Sequence, residues 1–300
     1  MNPEPMAPRP GPVEPLAQSA ALARAWAAEL CVHHGDGACC DAYHGFWQTM
    51  RLMRLGATLG GHPAHYLEAM AAWAAQPHPH GGVRRVLISG CADYSMLAHL
   101  WHAGATVGVD LHVTVLDICP TPLRLNTWYA ERQGRPVHTV CADVLAHRPS
   151  LGYDLIVTSS FLGFFSPKAR AALFQAYRHL LREGGQLVFS NRLRAAPEDV
   201  PVGFTPEQAE SFADTAARLS ADLPPPADLD ADRVRSMALA FARHTRNYPL
   251  ASEQTVTELA AGAGLSIRQC SVVQSAAMRP AISGPTLGDG SRYLFVVLQR

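Results

Sequence analysis

Gly90 and Asp117 are the residues whose types and spacing point most directly to chemistry. Gly90 closes the apolar run Arg85-Val-Leu-Ile-Ser, and Asp117 closes a second run, Val113-Thr-Val-Leu, 27 positions further on. Two buried strands with a glycine turn and a crossover helix between them make a βαβ unit. The missing side chain at the turn lets a ligand approach the backbone. An acid at the tip of the second strand accepts hydrogen bonds from a ribose diol. The pair therefore predicts a ligand that contains a nucleoside. Asp117 also has a structural alternative, capping the helix that Pro120 and Pro122 open. A carboxylate there repels the 2′-phosphate of NADP. The loop lacks the G-x-G-x-x-G run that seats a pyrophosphate, which argues against a dinucleotide and a dehydrogenase.

Other residues gather where ligands bind in open α/β sheets, at the carboxyl ends of strands. Ser159 and Ser160 close one strand, and Ser190 and Asn191 close the next. Phe161, Phe164 and Phe165 follow as pocket walls or as core. Asp143 reads either as a ligand contact or as a cap for the turn at Val144. Asn126 lies in mid-helix, where asparagine is disfavoured, so it predicts a polar partner in the protein or in the ligand. Cys31, His33, His34, Cys39, Cys40 and His44 are metal-ligating types. They contain no tight C-x-x-C pair and Cys39-Cys40 is vicinal, so no metal is predicted.

The elements that must position these residues follow from periodicity. Residues 1–15 are proline-rich and predicted to be disordered. Helical spacing runs from Leu16 to Ala75, punctuated by Gly35–Gly37 and Gly60-Gly61, and predicts a helical lid over 16–80. From 81 to 300 the texture is alternating strand and helix. Strands are predicted at 84–89, 112–117, 137–140, 153–159 and 186–191. Helices are predicted at 93–104, 120–133 and 167–183, the last stopped by Gly184-Gly185. Residues 192–247 interrupt the rhythm as an inserted helical hairpin. Thr205-Pro-Glu-Gln carries a capping-box pattern at its start, and a second helix runs from Asp230 to Arg246. A helix from Ser252 to Ala261 and strands at 265–273 and 293–299 complete the chain, with a glycine- and proline-bearing loop at 279–291. The predicted class is α/β, a Rossmann-like, mostly parallel sheet covered by helices on both faces.

Composition bounds the partners. The 300 residues carry 25 basic and 25 acidic side chains, with no basic run to match nucleic acid or an anionic membrane. No apolar run approaches the ~18 residues that span a bilayer. Seven cysteines, an odd number, suit reduced thiols. Cys119, Cys141 and Cys270 are expected within core strands. The chain is expected to be cytoplasmic, and the apolar N-terminal helices offer a homodimer surface.

The order of units, with Ser89-Gly-Cys-Ala92, Asp117-Ile118, Cys141-Ala-Asp-Val144 and Leu181-Arg-Glu-Gly-Gly-Gln-Leu-Val188, resembles the class I S-adenosylmethionine-dependent methyltransferases. The resemblance covers 84–300 and implies seven strands, the last inserted antiparallel, with S-adenosylmethionine across their carboxyl ends. It implies that Ser89, Gly90, Cys91 and Ala92 face the methionine moiety and that Asp117 grips the ribose. It further implies that Ile118 packs on the adenine, that Asp143 and Val144 border its amino group, and that Thr158, Ser159, Ser160 and Phe161 border donor and acceptor. The sequence departs from the family loop at Ile88, Ala92 and Tyr94, where an acid and two glycines are usual. Tyr94 must leave the ligand groove or cover it.

The resemblance implies methyl transfer to a small molecule, with the lid and insertion enclosing the acceptor. Tyr43 and His44, beside Phe46 and Trp47, would close over the sulfonium and touch the acceptor, since aromatic faces attract cations. Packing of these aromatics in the helical layer is the structural alternative. A second chemistry on the same donor is ring closure of its aminobutyrate chain, as in azetidine-2-carboxylate synthases, with release of methylthioadenosine. Loss of the acid at Ile88 would favour the neutral amine that this needs, and Asn126, Tyr43 and Ser190 would hold the folded chain. A non-catalytic cofactor-binding scaffold is the third reading.

Overall fold

The apolar runs that end at Ser89, Asp117 and Ser159 form the centre of a seven-stranded sheet. The computed structural model describes residues 12–31, 40–55, 63–78, 83–274 and 292–300. The expectations for 1–11, for His33, His34 and Cys39, for the glycines at 35–37 and 60–61, and for the 279–291 loop lie outside these residues.

The sheet is built from β1 (Arg84–Ser89), β2 (Leu111–Asp117), β3 (His138–Cys141), β4 (Tyr153–Ser159), β5 (Leu181–Arg192), β8 (Ser266–Gln274) and β9 (Arg292–Gln299). Its order is β3-β2-β1-β4-β5-β9-β8. The first five strands pair in parallel, and β9 enters antiparallel between β5 and β8. The order reverses between β1 and β4, so the crevice beyond Ser89 and Ser159 is a topological switch point, where ligands of such sheets bind. Gly90 and Asp117 lie at that end.

Helices cover both faces. On one side α3 (Pro63–Ala75), α4 (Ser95–Thr106) and α5 (Pro120–Arg132) bury Trp73, Leu97, Leu100 and Tyr129 against the sheet, and Tyr66 of α3 packs over β4, β5 and β9. On the other, α6 (Pro167–Leu180) and α9 (Glu253–Ala263) bury Leu173, Phe174, Tyr177 and Val256 against β4, β5 and β9. A third cluster lies off the sheet. Here α2 (Asp41–Leu52), which packs on α1 (Leu16–Leu30), presses Phe46 and Met50 against α7 (Pro206–Leu219) and α8 (Ala231–His244). The second N-terminal helix and the insertion thus share a core. Thr205 and Gln208 form the capping box that starts α7. A two-residue pair, β6 (Val202–Gly203) with β7 (Arg246–Asn247), ties the two ends of the insertion together.

Three expectations are corrected. The helix predicted over 167–183 stops at Leu180, because Leu181 is buried and pairs with Tyr153 as the start of β5. Gly184, at φ 74, is a turn within that strand segment and not a helix stop. Cys119 lies outside any strand, as the N-cap of α5, and Cys141 is exposed at the tip of β3. Glu14, just before α1, accepts two hydrogen bonds of 2.8 Å from the Arg51 guanidinium. Among the described residues, no helix is long and apolar enough to cross a membrane.

Candidate active site

Gly90 turns the chain at the end of β1 with φ 69, a left-handed conformation that favours glycine. A Cβ built there would stand 2.4 Å from the Phe161 ring, so the ring lies directly on the glycine face. The loop that follows is braced from α5. Asn126 is fully buried, and its Nδ2 donates to the Asp93 carbonyl at 3.2 Å and to Pro122 at 2.8 Å. Its polar partners are therefore protein groups, while its Oδ1 is left without one. Tyr94 leaves the groove. It is buried, stacks on Tyr129 at 4.5 Å and hydrogen-bonds Ser19 at 2.9 Å.

Asp117 sits at the tip of β2. One carboxylate oxygen accepts from the Cys91 amide at 2.9 Å and the other from the Cys119 amide at 2.8 Å. The side chain thus locks the glycine loop to the strand tip. Each oxygen keeps a lone pair beyond these bonds. Burial raises the carboxyl above its usual range, and His44 and the two amides oppose that shift. Ile118, next to it, is 50% exposed.

The loop holds an acid that the sequence reading did not single out. Asp93 is buried, accepts from Arg51 at 2.6 Å and caps the Ser95 amide at 2.8 Å. Arg51 also reaches Glu14, giving a Glu14–Arg51–Asp93 chain with side-chain exposures of 14%, 3% and 3%. The partners come from the N-terminal stretch, α2 and the glycine loop. Local spacing carries no signal for such an array.

Tyr43 is brought to this loop. It stacks between Trp47 and Phe241 at 5.5 and 5.6 Å and meets Phe164 edge-on at 6.4 Å. Burial and the charges of Asp93 and Asp117 push its hydroxyl well above the ordinary phenol range. His44 turns the other way, into a group of thiols. Burial would lower its imidazole, but hydrogen bonds with Cys119 and Cys40 and the Asp117 charge push it up to about 10. Neither group is poised to take a proton near neutral pH.

At the ends of β4 and β5, Ser160 adopts φ 54 and donates its amide to the Ser190 carbonyl at 2.7 Å. A non-glycine residue there stores about 1–2 kcal/mol of backbone strain. Ser159 is half-buried, and Ser190 is fully buried beneath Tyr66. The Tyr66 hydroxyl donates to the Thr158 carbonyl and accepts from the Ser190 amide, both at 2.6 Å. For Tyr66 the sequence offers only the helical spacing that runs from Leu16 to Ala75. Ser89 is also buried, taken up by Tyr177 at 3.1 Å, whereas Cys91 and Ala92 are partly open. Asp143 is exposed and caps the Leu145 amide at 2.9 Å, and Val144 is buried. The structure therefore joins Cys91 to Asp117, lays Phe161 on the Gly90 face and sets Tyr43 against Phe164, with Ala92 and Ile118 partly open beside them. It withdraws the side chains of Ser89, Asn126, Val144 and Ser190 into packing. A cleft of about 780 Å³ lined by Arg85, His112, Gly152 and Arg182 lies at the opposite, amino end of the strands.

No protein-family model matches the chain, and no curated protein matches it. Solved structures do. A Burkholderia thailandensis 1,6-didemethyltoxoflavin-N1-methyltransferase, with bound 1,6-didemethyltoxoflavin and S-adenosylhomocysteine, is 17% identical. It aligns over 98% of this chain and 93% of its own, with a TM-score of 0.51. An S-adenosylmethionine-dependent methyltransferase from Clostridium acetobutylicum is 10% identical, over 83% of this chain and 95% of its own, with a TM-score of 0.50. The likeness is one of fold: a seven-stranded, mostly parallel Rossmann-like sheet covered by helices on both faces.

Proposed function

We propose that the protein is an S-adenosylmethionine-dependent methyltransferase acting on a small molecule. The observation that carries the reading is Asp117 at the tip of β2, beside the Gly90 turn and the half-exposed Ile118. The open lone pairs of Asp117 suit a ribose diol, and Ile118 offers an apolar face to the adenine. The bare backbone of Gly90 suits the methionine chain. Tyr43, Phe161 and Phe164 enclose the same loop, where aromatic faces favour a sulfonium.

In methyl transfer the acceptor's lone pair forms the new bond to the methyl carbon. The carbon–sulfur bond breaks, and its electron pair stays on sulfur. The protein's contribution is mainly positioning. With Tyr43 and His44 both unsuited to act as bases, the site favours an acceptor that needs no prior deprotonation, such as a neutral amine.

A second reading shares the donor. The only acid within the loop, Asp93, is already paired with Arg51, and Ile88 is buried in the sheet. A donor ammonium would find no spare carboxylate there, which favours its neutral form. Attack of that amine on the carbon next to sulfur closes a four-membered ring and releases methylthioadenosine.

Incubation with S-adenosylmethionine alone, followed by mass spectrometry of every adenosine-containing product, separates the readings. Methyl transfer requires an acceptor and leaves S-adenosylhomocysteine, whereas cyclisation proceeds without one. Asp117→Asn keeps the size of the side chain and one acceptor oxygen. It is expected to weaken donor binding about 100-fold in calorimetry with unchanged circular dichroism. Wild-type protein that binds no donor would remove both readings and leave a scaffold.

A further inference from the structure

Three helix ends meet beside Asp117 and bring Cys31, Cys40 and Cys119 together, with His44 on the next turn of one of them. Cys31 closes α1, Cys40 opens α2, Cys119 opens α5, and His44 lies one turn into α2. The Cys119 sulfur is 3.5 Å from that of Cys40 and 3.6 Å from that of Cys31. All three sulfurs lie within 4.8 Å of one another. His44 is buried four residues after Cys40, on the same face of α2, outside the 4.8 Å that the three sulfurs share.

We propose that the three thiols bind one zinc ion and that the His44 imidazole, one helical turn from Cys40, swings onto it to complete a closed, tetrahedral Cys₃His site. Zinc–thiolate bonds of about 2.3 Å put the sulfurs of a regular tetrahedron about 3.8 Å apart. The two sulfur–sulfur distances fall within a few tenths of an ångström of that edge. A disulfide needs about 2.05 Å. The surroundings suit thiolates. Cys40 and Cys119 sit at the N-termini of α2 and α5, where the helix field stabilises negative charge. The Thr121 hydroxyl lies 3.2 Å from the Cys31 sulfur and can give its one proton to a thiolate there, an outer contact of the kind that fixes a ligand's direction.

The ligands explain why sequence spacing predicted no metal. Eight residues separate Cys31 from Cys40, and Cys119 follows 79 residues later. Only the fold joins them. With four protein ligands the ion would have no open position and would act as a staple. It would pin α1 and α2 to the strand tip that carries Asp117, and so hold Tyr43 over the glycine loop.

The test is metal content of the full chain, purified with a thiol reductant and without chelator or added metal. Elemental analysis is expected to give one zinc per chain. Replacement by Co²⁺ is expected to give the thiolate charge-transfer and strong d–d bands of a tetrahedral sulfur site. Cys119→Ser and His44→Ala should lose the metal, and Cys270→Ser, on the distant edge strand, should keep it. Wild-type protein that holds no zinc and gives no such cobalt spectrum overturns the proposal, as does a disulfide among these cysteines in the reduced preparation. Zinc retained in all variants places the ion elsewhere and overturns it too. Should the variants be insoluble, the wild-type stoichiometry and spectrum still decide. Neither measurement depends on donor binding or turnover.

Discussion

Gly90 shows how one residue type constrains the site. Its left-handed φ and the ring 2.4 Å from its absent Cβ are separate demands. In Gly90→Ala the first costs about 1–2 kcal/mol, a change in melting temperature of a few degrees. The second drives the Phe161 ring outward into the crevice. Donor affinity should therefore fall at least tenfold, out of proportion to the stability loss. Calorimetric titration beside a thermal melt checks this, and a variant that binds the donor normally would show that the crevice holds no ligand. Gly90 and Asp117 were legible in the sequence because a strand ending, a turn and a second strand ending are local patterns. The partners that now surround them were not. Arg51 and Asp93, Tyr66 and Ser190, and Cys31 and Cys119 are each joined across tens of residues, and no periodicity encodes such pairings.

The same division holds for whole elements. Strands β1, β2 and β4 were readable because parallel strands buried on both faces are nearly continuous apolar runs. The boundary between α6 and β5 was misplaced, since Leu181 looks the same to a helix and to a strand and only its pairing with Tyr153 decides. Helix periodicity found α2, α7 and α8 but not that they face each other. Phe46 is fully buried there, edge-on to Phe212 at 6.2 Å and tilted against Phe241 at 5.7 Å. Phe46→Ala should cost about 3–5 kcal/mol. Because this cluster stands apart from the two that flank the sheet, the loss should be uneven. Hydrogen exchange is expected to quicken in α2, α7 and α8 while β1, β4 and β5 keep their protection. Uniform loss of protection would mean that the helical layer and the sheet unfold as one unit.

At the scale of the molecule, the two ends of the sheet do different work. The carboxyl ends carry the crevice, and the amino ends are fastened by Asp154. Its carboxylate accepts from the Arg85 amide at 2.7 Å, from Arg182 at 3.0 Å, and pairs with His78 at 3.3 Å. It thereby joins the starts of β1, β4 and β5 and the stretch after α3. Burial alone would raise this carboxyl, but the bonds from Arg85, His78 and Arg182 outweigh it and hold it below its ordinary range. A carboxyl with a depressed folded-state pKa adds stability that is fully present above the unfolded value of about 3.9. That stability disappears as pH falls through the lower, folded value. Wild-type protein should therefore lose stability below about pH 4 more steeply than Asp154→Asn, which has no charge there to lose. Near neutral pH the order reverses in size: the variant should be the less stable, because Arg182 loses its anionic partner and one hydrogen bond to the Arg85 amide or Arg182 is weakened. Urea midpoints measured from pH 7 down to pH 3 would show the two curves converging. Parallel curves across that range would mean that Asp154 carries no charge-dependent load, and that the amino ends of the sheet are held by packing alone.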